Sequence, residues 1–225
     1  MKKIKKLIKK IKKKSIKIKS NLRTQFLHFF HRHLSVFIPV DNQLILFMSF
    51  LGRGYSDSPK ALYEYMKENK EYSNYKCVWV ISNYDSKTVY GDKVVKYFSL
   101  EYFYYLAKSK YWFFNAKMPS YIKKKDEQVY LQTWHGTPLK KLGNDIEVPE
   151  GITFYASKLT KEEMCETYNI DSKRYTYMVS PNPFSTEKFQ SAFNVEPHKM
   201  IETGYPRNDF ITNITPNEIE TLKKI

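Results

Sequence analysis

The chain has 225 residues and a net charge of +15, from 38 Lys and Arg against 23 Asp and Glu. Residues 1–40 hold thirteen basic residues (eleven Lys, Arg23 and Arg32) and no acid, which leaves 25 basic and 23 acidic residues for 41–225. A near-neutral body behind a basic leader excludes a protein coated in positive charge for nucleic acid. The 42% hydrophobic and 16% aromatic content excludes a disordered chain, and only seven glycines exclude a collagen-like one.

Residues 2–19 read as a basic amphipathic helix, with Ile4, Leu7, Ile8, Ile11 and Ile18 on one face and lysines around the rest. The following stretch, Phe26 to Ile38, is apolar but is broken by His28, His31, Arg32 and His33. No run reaches the ~18 uncharged apolar residues of a spanning helix, and the lysine density is wrong for a signal peptide. The leader is expected to lie on an anionic membrane surface, where each lysine contributes on the order of 1 kcal/mol. A solvated charge run or a nucleic-acid tail is the competing reading.

From Gln43 the pattern changes to strands alternating with helices. Residues 44–50 form a continuous apolar run, as in a strand buried on both faces. Gly52–Ser58 reads as a turn, and Asp57 or Ser58 as the cap of a helix with Pro59 at its first position. Strands are expected at 76–82, 93–97, 110–115 and 128–134, with a helix at 99–108 and a polar segment at 117–127. Helices at 158–168 and 185–193 and short strands at 175–179 and 199–202 complete the chain. This alternation implies a parallel sheet with helices on both faces, an α/β Rossmann-like fold. Cys77 and Cys165 have neither metal-site nor disulfide spacing and read as reduced cytosolic thiols.

Gly52-x-Gly54 lacks the third glycine of a dinucleotide fingerprint, so it reads as a turn or as a polar loop lining the crevice at the strand's end. The informative segment is Gln132-Thr133-Trp134-His135-Gly136-Thr137-Pro138-Leu139-Lys140-Lys141-Leu142-Gly143. His135 falls at the carboxyl end of an apolar strand, where open α/β sheets bind ligands, and Gly136 permits close approach of a substrate. Thr137 and Pro138 are expected to start a short helix closed by Gly143, whose free N–H groups would form an anion site beside Lys140 and Lys141. A histidine there can take a hydroxyl proton while N–H groups and lysines hold phosphate oxygens. A capped turn with a structural histidine is the alternative, and local chemistry does not choose between the two. His28, His31, His33 and His198 are assigned no role. A second segment, Ile201 to Asp209, contains turn chemistry in which Arg207 can pair with Asp209 or with a phosphate.

Together QTWHGTPLKKLG (132–143) and TGYPRND (203–209), supported by GRGYSDSPKALYEYM (52–66), resemble the CDP-glycerol glycerophosphotransferase family of teichoic-acid enzymes. The resemblance runs from about residue 41 to the end. It implies one Rossmann-like half of a glycosyltransferase-B-type fold. It also implies transfer of glycerol phosphate or ribitol phosphate from a CDP-activated donor to a lipid-linked acceptor at the cytoplasmic membrane face. His135 is the implied base. Trp134, Gly136, Thr137, Lys140, Lys141, Gly52, Arg53, Arg207 and Asp209 are the residues expected around substrate and phosphate. CDP-glycerol enters as donor substrate, and no cofactor, metal or nucleic acid is expected. The family has a second Rossmann-like domain with most of the donor contacts and another important histidine. The expected organisation is therefore a leader (1–40), an acceptor-side domain (41–215) and the start of a linker (216–225) to a donor half that is missing from this chain. The expected partners are an anionic membrane, the lipid-linked acceptor, and a separate donor domain or other teichoic-acid enzymes. An inert membrane- or acceptor-binding remnant is the alternative function.

Overall fold

A computed structural model describes residues 2–82, 93–149, 153–154 and 158–212, with side chains from Lys14 to Ile211 except Ile16. The segment read as a linker, 216–225, lies outside the described residues, as do the side chains of Ile4, Leu7, Ile8 and Ile11.

Seven parallel strands form one sheet: β1 (Asp41–Met48), β2 (Lys76–Ile81), β3 (Lys93–Lys96), β4 (Ser109–Phe114), β5 (Val129–Gln132), β6 (Tyr177–Ser180) and β7 (Met200–Glu202). Their order is β3-β2-β1-β4-β5-β6-β7. The chain builds outward from β1 to β3 and then returns to the other side of β1. The switch between β1 and β4 opens a crevice at the strands' carboxyl ends. Register aligns those ends, since Met48 lies beside Phe114 and Phe114 beside Gln132.

The apolar runs supply both faces. Leu44, Leu46, Met48, Trp112, Phe114 and Tyr130 point to one side, where α3 (Leu100–Lys108) and α5 (Pro183–Phe193) cover them with Phe103, Leu106, Phe189 and Phe193. Ile45, Phe47, Trp79 and Ile81 point to the other, under Tyr63 of α2 (Asp57–Glu68). Each such side chain contributes roughly 1.5–3 kcal/mol of burial. Local signals set the helix starts: Ser99 caps α3, Asn182 caps α5, and Thr160 with Glu163 forms a capping box on α4 (Lys161–Ser172).

The leader departs from expectation. Its helix, α1, spans Lys2–Phe29 and continues through a π-helical turn (Phe30–Leu34) and a 3-10 turn (Ser35–Phe37), well past residue 19. The reason is tertiary: Leu27, His31 and Ser35, at four-residue spacing, are buried against the body. His31, given no role by sequence, accepts the Lys123 N–H through Nε2 at 2.8 Å and packs on Phe103. Burial, with the nearby charges of Lys123, His28 and Arg174, pushes its pKa down from 6.5 to about 4.

That shift carries a sign. The folded state holds His31 neutral, so its contribution is complete above pH 6.5 and is lost as pH falls toward 4. Asp171 acts oppositely. Burial raises its pKa to about 6 against the pull of Arg174, so stability rises as pH drops through 6. The difference between wild type and His31→Gln isolates the histidine. From pH 7 to pH 5 the wild type is expected to lose about 2 kcal/mol relative to the variant in guanidinium unfolding. Equal pH dependence would refute this.

Candidate active site

Three strand ends and two distant loops meet at the switch point. β1 ends in a tight turn in which Gly52 and Arg53 donate to the Ser49 carbonyl. Phe50, Leu51 and Gly52 all adopt positive φ, at 48°, 56° and 80°. Gly52 serves the turn itself: a Cβ there would lie 3.0 Å from Tyr97 Cβ, and its carbonyl accepts from Ser82. It faces the body and not the crevice. Arg53 is exposed.

The turn aims the Phe50 N–H at Asn115, the residue that closes β4. Asn115 is fully buried and is used three ways. Its Oδ1 accepts from Phe50 N at 2.7 Å, and its Nδ2 donates to Asp57 Oδ2 at 2.9 Å. Its backbone carbonyl lies 2.6 Å from His135 Nδ1. Asp57, at φ 62°, also accepts from Ser58 N–H at 2.7 Å and from Arg207 Nη1 at 3.0 Å. Neither Asp57 nor Ser58 is the cap expected of α2, since the N-cap position falls on Ser56 and no side chain bonds there. Arg207 Nη1 reaches the His135 carbonyl as well, at 2.9 Å, and its guanidinium lies 4.8 Å over the Tyr205 ring.

Arg207 therefore pairs with Asp57, and Asp209 opens the short helix α6 (Asp209–Thr212) and is exposed. The Asp57 side chain is 5% exposed, and a carboxylate so far from water needs a partner, which Arg207 supplies.

Trp134 takes φ 50° and turns its indole into the core, 4.5 Å from the Phe193 ring. The His135 ring stacks on that indole at 4.2 Å, with Phe50 at 5.5 Å on its flank. The Asn115 carbonyl only accepts, so His135 Nδ1 carries a proton, and in the neutral ring the lone pair is on Nε2. This is the tautomer a general base needs. Non-glycine residues with positive φ (Phe50, Asp57 and Trp134) gather around this one histidine, as strained residues do where a surrounding structure over-determines them.

The helix expected from Thr137 does not form. Residues 137–142 run as an irregular segment into a 3-10 turn, Gly143–Asp145. Leu139 is 93% exposed, and so short a helix has no stability without a packed face. The helix-start anion site is thus absent. Thr137 and Lys140 are exposed, and Lys141 pairs with Glu147. Gly143 is not a helix terminator. At φ 47° it lies so close to α5 that a Cβ would sit 2.0 Å from the Ala192 carbonyl oxygen, whereas one at Gly136 would meet nothing within 4 Å. Gly143→Ala is expected to lower unfolding free energy by about 3 kcal/mol. Gly136→Ala is expected to leave stability unchanged and to reduce turnover. Denaturant midpoints and rates for the pair check both, and a stable Gly143→Ala would refute the packing argument.

Sequence reading missed Asp57 as a site residue and passed over Asn115 and Phe50. The usable signal was a polar Asn closing an apolar strand beside the switch point. Among the described residues no group of three or more His, Cys, Asp or Glu side chains is placed to hold a metal ion.

A family model described as CDP-Glycerol:Poly(glycerophosphate) glycerophosphotransferase matches residues 29–225. The chain belongs to this family. Among the relatives of this glycerophosphotransferase-family chain is a teichoic acid poly(glycerol phosphate) polymerase of Staphylococcus epidermidis. It is 42% identical over 187 residues, 83% of this chain and 25% of the relative. A teichoic acid glycerol-phosphate transferase of Staphylococcus aureus is 37% identical over 200 residues, 87% of this chain and 49% of the relative. The chain thus spans a quarter to a half of these relatives' length. A solved structure of the wall teichoic acid polymerase TagF, a variant soaked with CDPG, superposes with a TM-score of 0.78 at 36% identity. That match covers 94% of this chain and 49% of the polymerase. The parallel α/β sheet read from the strand alternation is the fold of this family member.

Proposed function

We propose that this chain supplies the acceptor-side half of a CDP-glycerol-dependent glycerophosphotransferase of wall teichoic acid synthesis. The observation that carries the reading is the Asn115 carbonyl on His135 Nδ1, which leaves Nε2 as a base beside the open space at Gly136. In the reaction the acceptor hydroxyl gives its proton to Nε2, and its oxygen attacks the glycerol-bearing phosphorus of CDP-glycerol. The bond from that phosphorus to the bridging oxygen breaks, and CMP leaves. The expected result is CMP release from CDP-glycerol that requires a hydroxyl-bearing glycerophosphate acceptor. Release independent of acceptor, or none in any assembly containing this chain, would count against it and favour an inert acceptor-binding module.

The acceptor is lipid-linked in this reading, and the chain sits on the cytoplasmic face of the membrane as a peripheral protein. Support comes from the outer face of α1, where Ile18, Leu22, Phe26 and Phe29 are each more than half exposed within one arc of the helix. The opposite face, at Leu27 and His31, is buried. Among the described residues no helix is long and apolar enough to cross a membrane. The chain is expected to float with anionic vesicles and to lose that binding on Phe26→Ser/Phe29→Ser substitution. Retained flotation would exclude this face.

A further inference from the structure

Past His135 the chain borders an open groove of about 600 Å³. The groove runs between residues 138–147, the start of α4 and one side of α5 from Phe184 to Ala192. Four lysines line it (Lys140 and Lys141 from the loop, Lys161 from α4 and Lys188 from α5), with Leu139 and Phe184 as exposed apolar walls. Two carboxylates share the lining, and both are engaged: Glu147 with Lys141, and Asp145 with the Ser191 hydroxyl. Lys188 reaches Glu187 at 2.6 Å. Among the described residues Lys140 and Lys161 make no ion pair.

The groove and the histidine share one support. Phe189 and Phe193 of α5 lie against the Trp134 indole on which His135 stacks. Lys188, Ser191 and Ala192 of the same helix line the groove. The cations are spread over three elements and interleaved with apolar surface. The volume, about 600 Å³, is far more than one phosphate fills. The arrangement suits a chain in which phosphates alternate with short hydrocarbon units.

We propose that this groove holds an anionic phosphodiester chain, the already polymerised part of the acceptor, and so delivers its terminal hydroxyl to His135. The proposal rests on the glycerophosphate-transfer reading for its ligand class.

Amine-reactive footprinting of the whole chain, read lysine by lysine by mass spectrometry, tests it without requiring turnover. The probes are a glycerol phosphate oligomer of about six units and inorganic phosphate at equal phosphate concentration. The oligomer is expected to slow labelling of Lys140, Lys161 and Lys188 about threefold or more, and phosphate to leave them unchanged. In the transfer assay, Lys161→Gln/Lys188→Gln is expected to raise KM for the oligomeric acceptor about tenfold at unchanged kcat, with no effect on a single-unit acceptor. Unchanged labelling of Lys161 and Lys188, or protection confined to residues 1–40, would overturn the groove even if His135 proves to be the base. Failure of transfer with the footprint intact would instead count against the transfer reading.

Discussion

His135→Ala is expected to lower acceptor-dependent glycerophosphate transfer by about 10²–10⁴-fold, the span that a positioned general base supplies. The loss should fall on kcat, because in the proposed reaction the ring meets the reacting hydroxyl and does not line the groove proposed for the acceptor. Folding should survive. The ring is only partly buried, and the indole beneath it keeps its own contacts with Phe189 and Phe193. A denaturant midpoint within about 1 kcal/mol of wild type would confirm that. The alanine leaves a ring-sized space beside Gly136, so added imidazole is expected to restore part of the rate. Wild-type turnover by the variant would remove His135 from the chemistry.

Asp57→Ala is expected to cost about 3 kcal/mol of stability and most of the turnover. Three donors converge on that carboxylate: Ser58 N–H, Asn115 Nδ2 and Arg207 Nη1. Deleting it leaves a partly buried guanidinium and a buried amide without their acceptor, a penalty of roughly 3–5 kcal/mol for a fully buried pair. Arg207 is one-third exposed, which argues for the lower end. The catalytic effect is indirect. Asn115 holds the His135 ring through its carbonyl and Arg207 holds the His135 backbone, and Asp57 ties the two together. Arg207→Lys separates position from stability. Both bonds leave the single nitrogen Nη1, and the shorter lysine side chain does not carry its ammonium to that position. The substitution is expected to lower kcat about tenfold, with little change in KM for the acceptor and a stability loss of about 1 kcal/mol. Unchanged kcat in Arg207→Lys would show that the network only braces the fold.

The sheet was legible because strands buried on both faces leave unbroken apolar runs. CVWVI (77–81) sits in a strand within one residue of expectation, and LILFM (44–48) in one that starts three residues earlier and ends two earlier than expected. His135 was legible because an apolar strand ended at a glycine-bordered histidine. The expected helix at Thr137 failed for an instructive reason. Thr-Pro is a valid local start signal, but Leu139 finds nothing to pack on, and capping alone does not hold so short a helix. The leader erred in the other direction. Histidines among phenylalanines read as interruptions, yet His31 faces inward and bonds to Lys123, so the helical path runs on to Phe37.

By itself the sequence determined the basic, amphipathic leader, the parallel α/β class, the family and the histidine at a strand's end, because these follow from composition, periodicity and short motifs. Only the tertiary structure decided what holds that histidine. Asp57 and Arg207 are 150 positions apart, and Asn115 and His135 are 20 apart. No local pattern encodes such a pairing. It arises because the register of β1, β4 and β5 brings three strand ends level. The buried polar groups delivered there must then satisfy one another.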